Sequence, residues 1–346
     1  MRRSVLFVLI GLLSMGTVFA EEAVLIDFAQ LAANYPADDP VHNERTIVDY
    51  SIAAGSSYTE EEKAEMKISL GIESWEIELA SSSQRVETVS DSMVREAPVR
   101  EGASRFENET VLGARVRFPT EPFNSWAMIR PPFEVPAYAD RTEVQDDGSL
   151  TVPQEEVGRG AKFDNFGVVK NVGVLRSVAM NVHGLNFPHG VSIILMDENN
   201  DEHEIFMGYL DFDGWRTLEW RNPNYITEVR NREIRRFPLY PNLTPMQKLI
   251  GIRVYRDAAT QGGDFITYIK DISLTYDRAV LNLERDINDE AVWGILQERE
   301  RARRDAELRN LGSIQVLRYL EERKMHDPDA EADPDGEAAP EEEQDG

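Results

Sequence analysis

The sequence predicts a mainly β protein, an antiparallel two-sheet β-sandwich of the jelly-roll type, followed by a charged C-terminal helix and a disordered acidic tail. Three observations lead there. Segments of strand length, rich in branched and aromatic residues, recur between turn signals from Glu22 to Asp277. Several of them alternate with period two. After Leu283 both features stop, and charges at helical spacing replace them.

Taken in order, the chain opens with Met1-Arg2-Arg3, an apolar run from Val5 to Leu13, and Val18-Phe19-Ala20 before Glu21. Basic, apolar and small-residue regions in that order make a cleavable secretory signal over residues 1–20, cut between Ala20 and Glu21. The apolar run is shorter than the roughly 20 residues that cross a bilayer, and no second long run follows, so no membrane span is expected.

A sandwich domain is expected over 21–284. "EAVLIDFA" from Glu22 reads as a strand, and Thr59 with Glu62 has capping-box spacing that opens a short helix, with Gly71 as its stop. Further strands are expected at "IESWEIEL" from Ile72, "VLGARVRF" from Val111 and "FGVVKNVGVLRSVAMNVHG" from Phe166. Others follow at "VSIILMD" from Val191, "HEIFMGYL" from His203, "GWRTLEW" from Gly214, "GIRVYR" from Gly251 and "DFITYIKDISLTYD" from Asp264. In the last, Phe265, Thr267, Ile269, Asp271, Ser273 and Thr275 are expected on one face and Ile266 through Tyr276 on the other. Asn199-Asn200-Asp201 and Asp211-Phe212-Asp213-Gly214 read as the turns of two hairpins.

Residues 285–325 read as a helical extension with Gly312 as its break, apolar anchored ends and a solvated middle, "QERERARRDAE". A sharper reading docks this helix on a neighbouring subunit. Residues 327–346 hold ten acids and no Lys or Arg, so the tail at 326–346 cannot bury enough surface to offset its ordering entropy.

Composition narrows the function. The chain has no cysteine, which removes disulfides, zinc–thiolate sites, thiol catalysis and lipidation after the cleavage point. A net charge of −26 opposes binding to nucleic acid. The five histidines show no metal-binding spacing. Asp197, Asn199 and Asp201 match the first ligands of an EF-hand loop, but Glu202 and Gly208 stand where its glycine and bidentate glutamate belong. Gly158-x-Gly160 reads as a turn, and Asp211 with Asp213 as a solvated pair. No nucleophile elbow, phosphate loop or zincin helix is present. No catalytic residue, cofactor or metal is expected.

Aromatic residues give the remaining clue. Trp75, Trp126, Trp215 and Trp220 lie in or beside strand segments, while Phe118, Phe123, Trp126, Pro131, Pro132, Phe133 and Tyr138 bunch in a stretch too proline-rich for a central strand. Phe123, Trp126, Phe133 and Trp215 are the candidate contact residues. Exposed rings of this kind serve either as a platform for stacking sugars or as a protein-contact patch.

Longer segments carry a resemblance. "ERTIVDYSIAAGSSYTEEEKAEMKISLGIESWEIEL" from Glu44, "RFPTEPFNSWAMIRPPFEVPAY" from Arg117, "FGVVKNVGVLRSVAMNVHGLNFPHG" from Phe166, "EIFMGYLDFDGWRTLEWRNPNYI" from Glu204 and "GIRVYRDAATQGGDFITYIKDISLTYDRAV" from Gly251 appear in this order. Together, over about residues 23–285, they resemble the FlaA family of spirochaete flagellar filament outer layer proteins. The resemblance implies a non-enzymatic sheath subunit of the periplasmic flagellum that contributes to filament stiffness, shape and motility. Its implied partners are the core flagellins and other copies of itself or related sheath proteins. A Sec-type signal fits such a subunit. A periplasmic glycan-binding module is the alternative that the residues leave open.

Overall fold

The structure, a computed structural model, describes residues 20–35, 42–135, 143–144, 150–151, 163, 165–234, 245–279 and 292–326. Residues 1–19 of the expected signal, Tyr138, the Gly158-x-Gly160 turn and residues 327–346 of the expected tail lie outside them. In chain order the strands are β1 (Glu21–Asp27), β2 (Val48–Asp49), β3 (Lys67–Ile68), β4 (Glu76–Leu79), β5 (Met93–Pro98), β6 (Thr110–Phe118), β7 (Ser125–Arg130) and β8 (Glu143–Val144). They continue as β9 (Leu150–Thr151), β10 (Val168–Lys170), β11 (Val172–Leu185), β12 (Gly190–Asp197), β13 (Glu202–Tyr209), β14 (Asp213–Arg221), β15 (Met246–Arg256) and β16 (Gly263–Arg278). The helices are α1 (Ser51–Ala54), α2 (Glu60–Glu65), α3 (Val86–Ser90), α4 (Tyr225–Ile234) and α5 (Ile295–His326).

Two six-stranded antiparallel sheets make the sandwich. The first runs β14-β11-β16-β6-β5 with β1 also on β16, and the second runs β13-β12-β15-β7-β4 with β10 also on β15. Inward side chains of both sheets interdigitate in one core, from Leu25 and Phe28 through Val178, Met180, Ile193 and Ile252 to Phe265 and Leu274. Trp75 is buried against Phe28, ring to edge at 5.1 Å, and its indole Nε1 donates to the Leu70 carbonyl at 3.1 Å, so the ring brings no unpaired donor inside.

The long strand β16 departs from strict alternation. Phe265, Thr267 and Ile269 are buried, but beyond them the buried set is Ile272, Leu274 and Tyr276. The cause is a bulge: Val182 faces Ile269 while Asn181 faces Asp271, which leaves Lys270 as the extra residue. One extra residue moves every later side chain to the other face. The same point is a change of partner, since β16 pairs with β6 up to Ile269 and with β1 from Asp271. Lys270 is 7 % exposed there and is held by Asp27 at 2.5 Å and Glu109 at 3.0 Å, residues at the ends of the two strands it separates. Burial opposes its charge, yet the hydrogen bonds to Asp27 and Glu109 prevail and hold its pKa above the ordinary lysine value.

Other expectations change in the same physical terms. The segment from Phe166 is two strands, because Asn171 takes φ 59 and turns the chain, sending β10 to the second sheet and β11 to the first. "IESWEIEL" begins as a single 3-10 turn at Ile72–Ser74 and becomes strand only at Glu76. Thr59 and Glu62 do form the capping box, but α2 ends at Glu65, well before Gly71. Asn200, at φ 65, completes the expected hairpin between β12 and β13. The segment at Asp211–Gly214 is no hairpin: β13 and β14 belong to different sheets. Leu210 and Phe212 are buried on either side of Asp211, so the connection crosses the end of the core instead of turning in solvent. A few extended residues suffice for the ~10 Å between packed sheets.

The C-terminal helix is unbroken from Ile295 to His326. Gly312 is its docking point and not its break: a Cβ there would stand 2.1 Å from that of Ala53 in α1. Gln315 and Arg318 then donate to the Pro132 carbonyl at 3.2 and 3.1 Å. The other end is not anchored, since Val292 and Trp293 are 65 and 66 % exposed.

Candidate functional site

A sandwich offers its two outer faces for contact, and here they are built differently. On the first sheet, His183 of β11 stands in register between Trp215 of β14 and Tyr268 of β16. The loop from Val99 to Glu109 closes over them. Phe106, at φ 58, meets Trp215 edge-on at 4.9 Å. Arg105 donates to Asn181 Oδ1 at 2.8 Å, and Asn181 donates to Asp271 at 2.7 Å. Burial raises the Asp271 pKa, against the hydrogen bond from Asn181 and the charge of Lys270. Around His183 this face is covered by the chain itself, while Val24 on β1 and Arg115 and Arg117 on β6 stay exposed.

On the second sheet, strand register places Tyr209, Gly190, Tyr255 and Trp126 in one row across β13, β12, β15 and β7. The next row is Phe206, Ser192, Arg253 and Met128. Phe206 and Tyr209 are 47 and 51 % exposed, with ring centroids 5.3 Å apart. Arg253 lies over the Trp126 ring at 5.1 Å and donates to Glu204 at 3.0 Å and to the Tyr255 hydroxyl at 3.1 Å. The Tyr255 hydroxyl in turn donates to Glu204. Burial and the carboxylate of Glu204 raise the Tyr255 pKa, with Arg253 opposing them. The Ser192 hydroxyl, fully buried beneath, has no hydrogen-bond partner among the described residues.

Two glycines make this face flat. A Cβ on Gly190 would come within 2.9 Å of the Phe206 ring, and one on Gly251 within 2.9 Å of Met128 Sδ. Toward β4 the face runs into a cleft of about 840 Å³ beneath α5, lined by Glu76, Pro132, Met196, Ile250, Ile314 and Arg318 among others.

The four expected contact residues are therefore not one patch. Trp126 lies in the aromatic row, on an interior strand that the nearby prolines do not prevent. Trp215 is half-buried under Phe106 on the opposite sheet. Phe133 is 7 % exposed and packs on Phe163 at 5.8 Å, inside the core. Phe123 is half-buried in the loop before β7. Glu21, the residue after the expected cleavage point, is the first of β1 and faces Tyr276. Phe206, Tyr209 and Tyr255 were missed. Their signal was an aromatic on the polar side of an alternating strand, Glu202, Glu204 and Phe206 against Ile205 and Met207.

Asp197, Asn199 and Asp201 form the turn expected of them. Asp197 Oδ1 accepts from the backbone N–H of Asn199 at 2.8 Å and of Asp201 at 3.0 Å. Its burial raises the pKa, but these bonds and His203 outweigh it and hold the carboxyl below its usual range. Among the described residues no three His, Asp or Glu side chains are placed to share a metal ion. No described helix is long and apolar enough to cross a membrane.

Comparison with known proteins gives a consistent result. Residues 40–285 match the family model described as flagellar filament outer layer protein FlaA. A flagellar filament outer layer protein of Spirochaeta aurantia is 50 % identical over 307 residues, covering 89 % of this chain and 88 % of that protein. One from Treponema pallidum (strain Nichols) is 46 % identical over 331 residues, covering 94 and 95 %. Among solved structures, a carbohydrate-binding module of the β-sandwich superfamily aligns over 58 % of this chain and 56 % of that one, at 11 % identity and a TM-score of 0.29. A likeness at that level carries no argument about this chain.

Proposed function

This chain belongs to the FlaA family of flagellar filament outer layer proteins, and on that premise we propose that it is an exported, non-enzymatic subunit that coats the flagellin core of a periplasmic flagellum. The observation that supports this most is the extent of the likeness. It runs over 94 % of the chain in the Treponema pallidum relative, sandwich and C-terminal helix together, so the whole architecture belongs with the outer-layer role. The secretory signal expected at Met1–Ala20 supplies export independent of the filament's own channel. Two broad outer faces suit a subunit that meets neighbours repeatedly, since linked weak contacts multiply by avidity.

Isolated filaments test the proposal. The mature chain, beginning at Glu21, should co-purify with flagellin, and filaments from a deletion strain should be thinner. A chain found only in the soluble periplasmic fraction, with wild-type filaments unchanged on deletion, would overturn it.

A further inference from the structure

We propose that the outer face of the second sheet, centred on Phe206, Tyr209, Tyr255 and Trp126, pairs with the same face of a second copy of this chain. The inference rests on the outer-layer reading above and names the contact surface that reading leaves open.

Four observations point to this face and this occupant. On the opposite face the Val99–Glu109 loop closes over the rings around His183, so those rings already have partners. The second face leaves Phe206 and Tyr209 about half exposed on β13, its edge strand. The face is flat, because Gly190 and Gly251 let the Phe206 ring and Met128 lie down on the sheet. A flat sheet face fits another flat face, and none of these four rings lines the cleft beneath α5.

Charge selects the partner. The chain carries −26, so two copies repel over most of their surface. On this face Arg253 pairs with Glu204 at 3.0 Å beside the rings, and Arg130 with Glu78 at 2.8 Å and Arg318 with Glu76 at 3.0 Å beside the cleft, while Glu202 adds one exposed carboxylate. Like-charged copies approach where local charge cancels, and it cancels around these rings. A face meeting itself makes an isologous contact, which two-fold symmetry closes without further partners.

Size sets the strength. Five strands at about 4.8 Å spacing and about 14 Å of strand length give a footprint of roughly 340 Å². A stable interface takes about 800 Å² from each partner. The pair should therefore be weak in solution and populated where a filament holds many copies close together.

The absence of cysteine makes a direct test available. Tyr209→Cys provides a single thiol on an exposed position, to be labelled with a benzophenone maleimide, photolysed in isolated filaments and mapped by peptide mass spectrometry. The expected product has twice the chain mass and joins position 209 to β7, β12 or β15 of a second copy. A product joining a different polypeptide, or the first sheet of a second copy, overturns the proposal. In parallel, sedimentation of the purified wild-type chain should show mass rising with concentration, while Phe206→Ser with Tyr209→Ser stays monomeric at unchanged melting temperature. A wild-type chain that remains monomeric at millimolar concentration, or a free saccharide bound tightly through these rings, also overturns it. Absence of the wild-type chain from filaments would instead defeat the outer-layer reading, and the sedimentation result would still decide the pairing.

Discussion

His189 should make the stability of this protein depend on pH in a way that one substitution removes. It is 4 % exposed and sits among rings: Phe118 stacks on it at 5.2 Å, Phe265 lies at 4.7 Å and Phe187 at 6.0 Å. Burial, aided by the charge of Arg256, lowers its pKa from 6.5 to about 4. The folded state therefore binds fewer protons than the unfolded state between those values. Stability from this group is complete above pH 6.5 and is lost as pH falls toward 4. At about 1.4 kcal/mol per pH unit the whole loss is roughly 3 kcal/mol, of which roughly 2 kcal/mol falls between pH 7.5 and 5. With 63 acidic residues in the chain, other groups titrate in the same range, so the difference from a variant is the informative quantity. His189→Phe keeps the ring and removes the titration. Urea unfolding of both proteins at pH 7.5, 6 and 5 should show the wild type losing about 2 kcal/mol more than the variant over that range. Parallel losses, within about 0.5 kcal/mol, would refute a neutral buried imidazole as the cause.

Three further outcomes are expected. Arg256, 1 % exposed, donates to the carbonyls of Pro119, Glu121 and Thr260 at 2.8–3.1 Å. Arg256→Met should cost about 3 kcal/mol in urea unfolding, because those acceptors are left without a donor. Lys270→Met leaves Asp27 and Asp271 without a counter-charge at the β16 bulge. It should cost about 3 kcal/mol by the same measurement, and Lys270→Met with Asp27→Asn should recover part of that loss. Gly312→Val should undock the C-terminal helix from α1, because even one Cβ has no room beside Ala53. Limited proteolysis should then clip the helix several-fold faster while the sandwich keeps its melting temperature, since the contact lies outside the sandwich core.

The sandwich was legible in the sequence because its signals are local. Period-two alternation, the Thr59 capping box and the Asn200 turn each depend on residues a few positions apart. What was illegible depends on distant residues. Lys270 reads as one more alternating position until Asp27, 243 residues away, and Glu109 are seen to claim its charge, and the bulge that accommodates it reverses the faces beyond. Asp211 to Gly214 carries turn residues in either case, and only the burial of Leu210 and Phe212 converts a hairpin into a crossing between sheets. Gly312 looks like a helix break because glycine is a poor helix former, yet its missing side chain is what lets α5 approach Ala53.

The same distinction explains why the aromatic clue was only half readable. Counting rings by sequence proximity gathered Phe123, Trp126 and Phe133, but only Trp126 lies on β7, and Phe133, beyond its end, folds into the core. The rings that share a surface with Trp126 come instead from β13 and β15, more than 75 residues downstream, and strand register alone aligns them. Between those rows the Phe206 ring leans over Gly190, Met128 leans over Gly251, and Arg253 reaches diagonally to Glu204. The outer face of the second sheet thus joins exposed rings to a local ion pair, while on the first sheet the rings around His183 are taken up by the Val99–Glu109 loop.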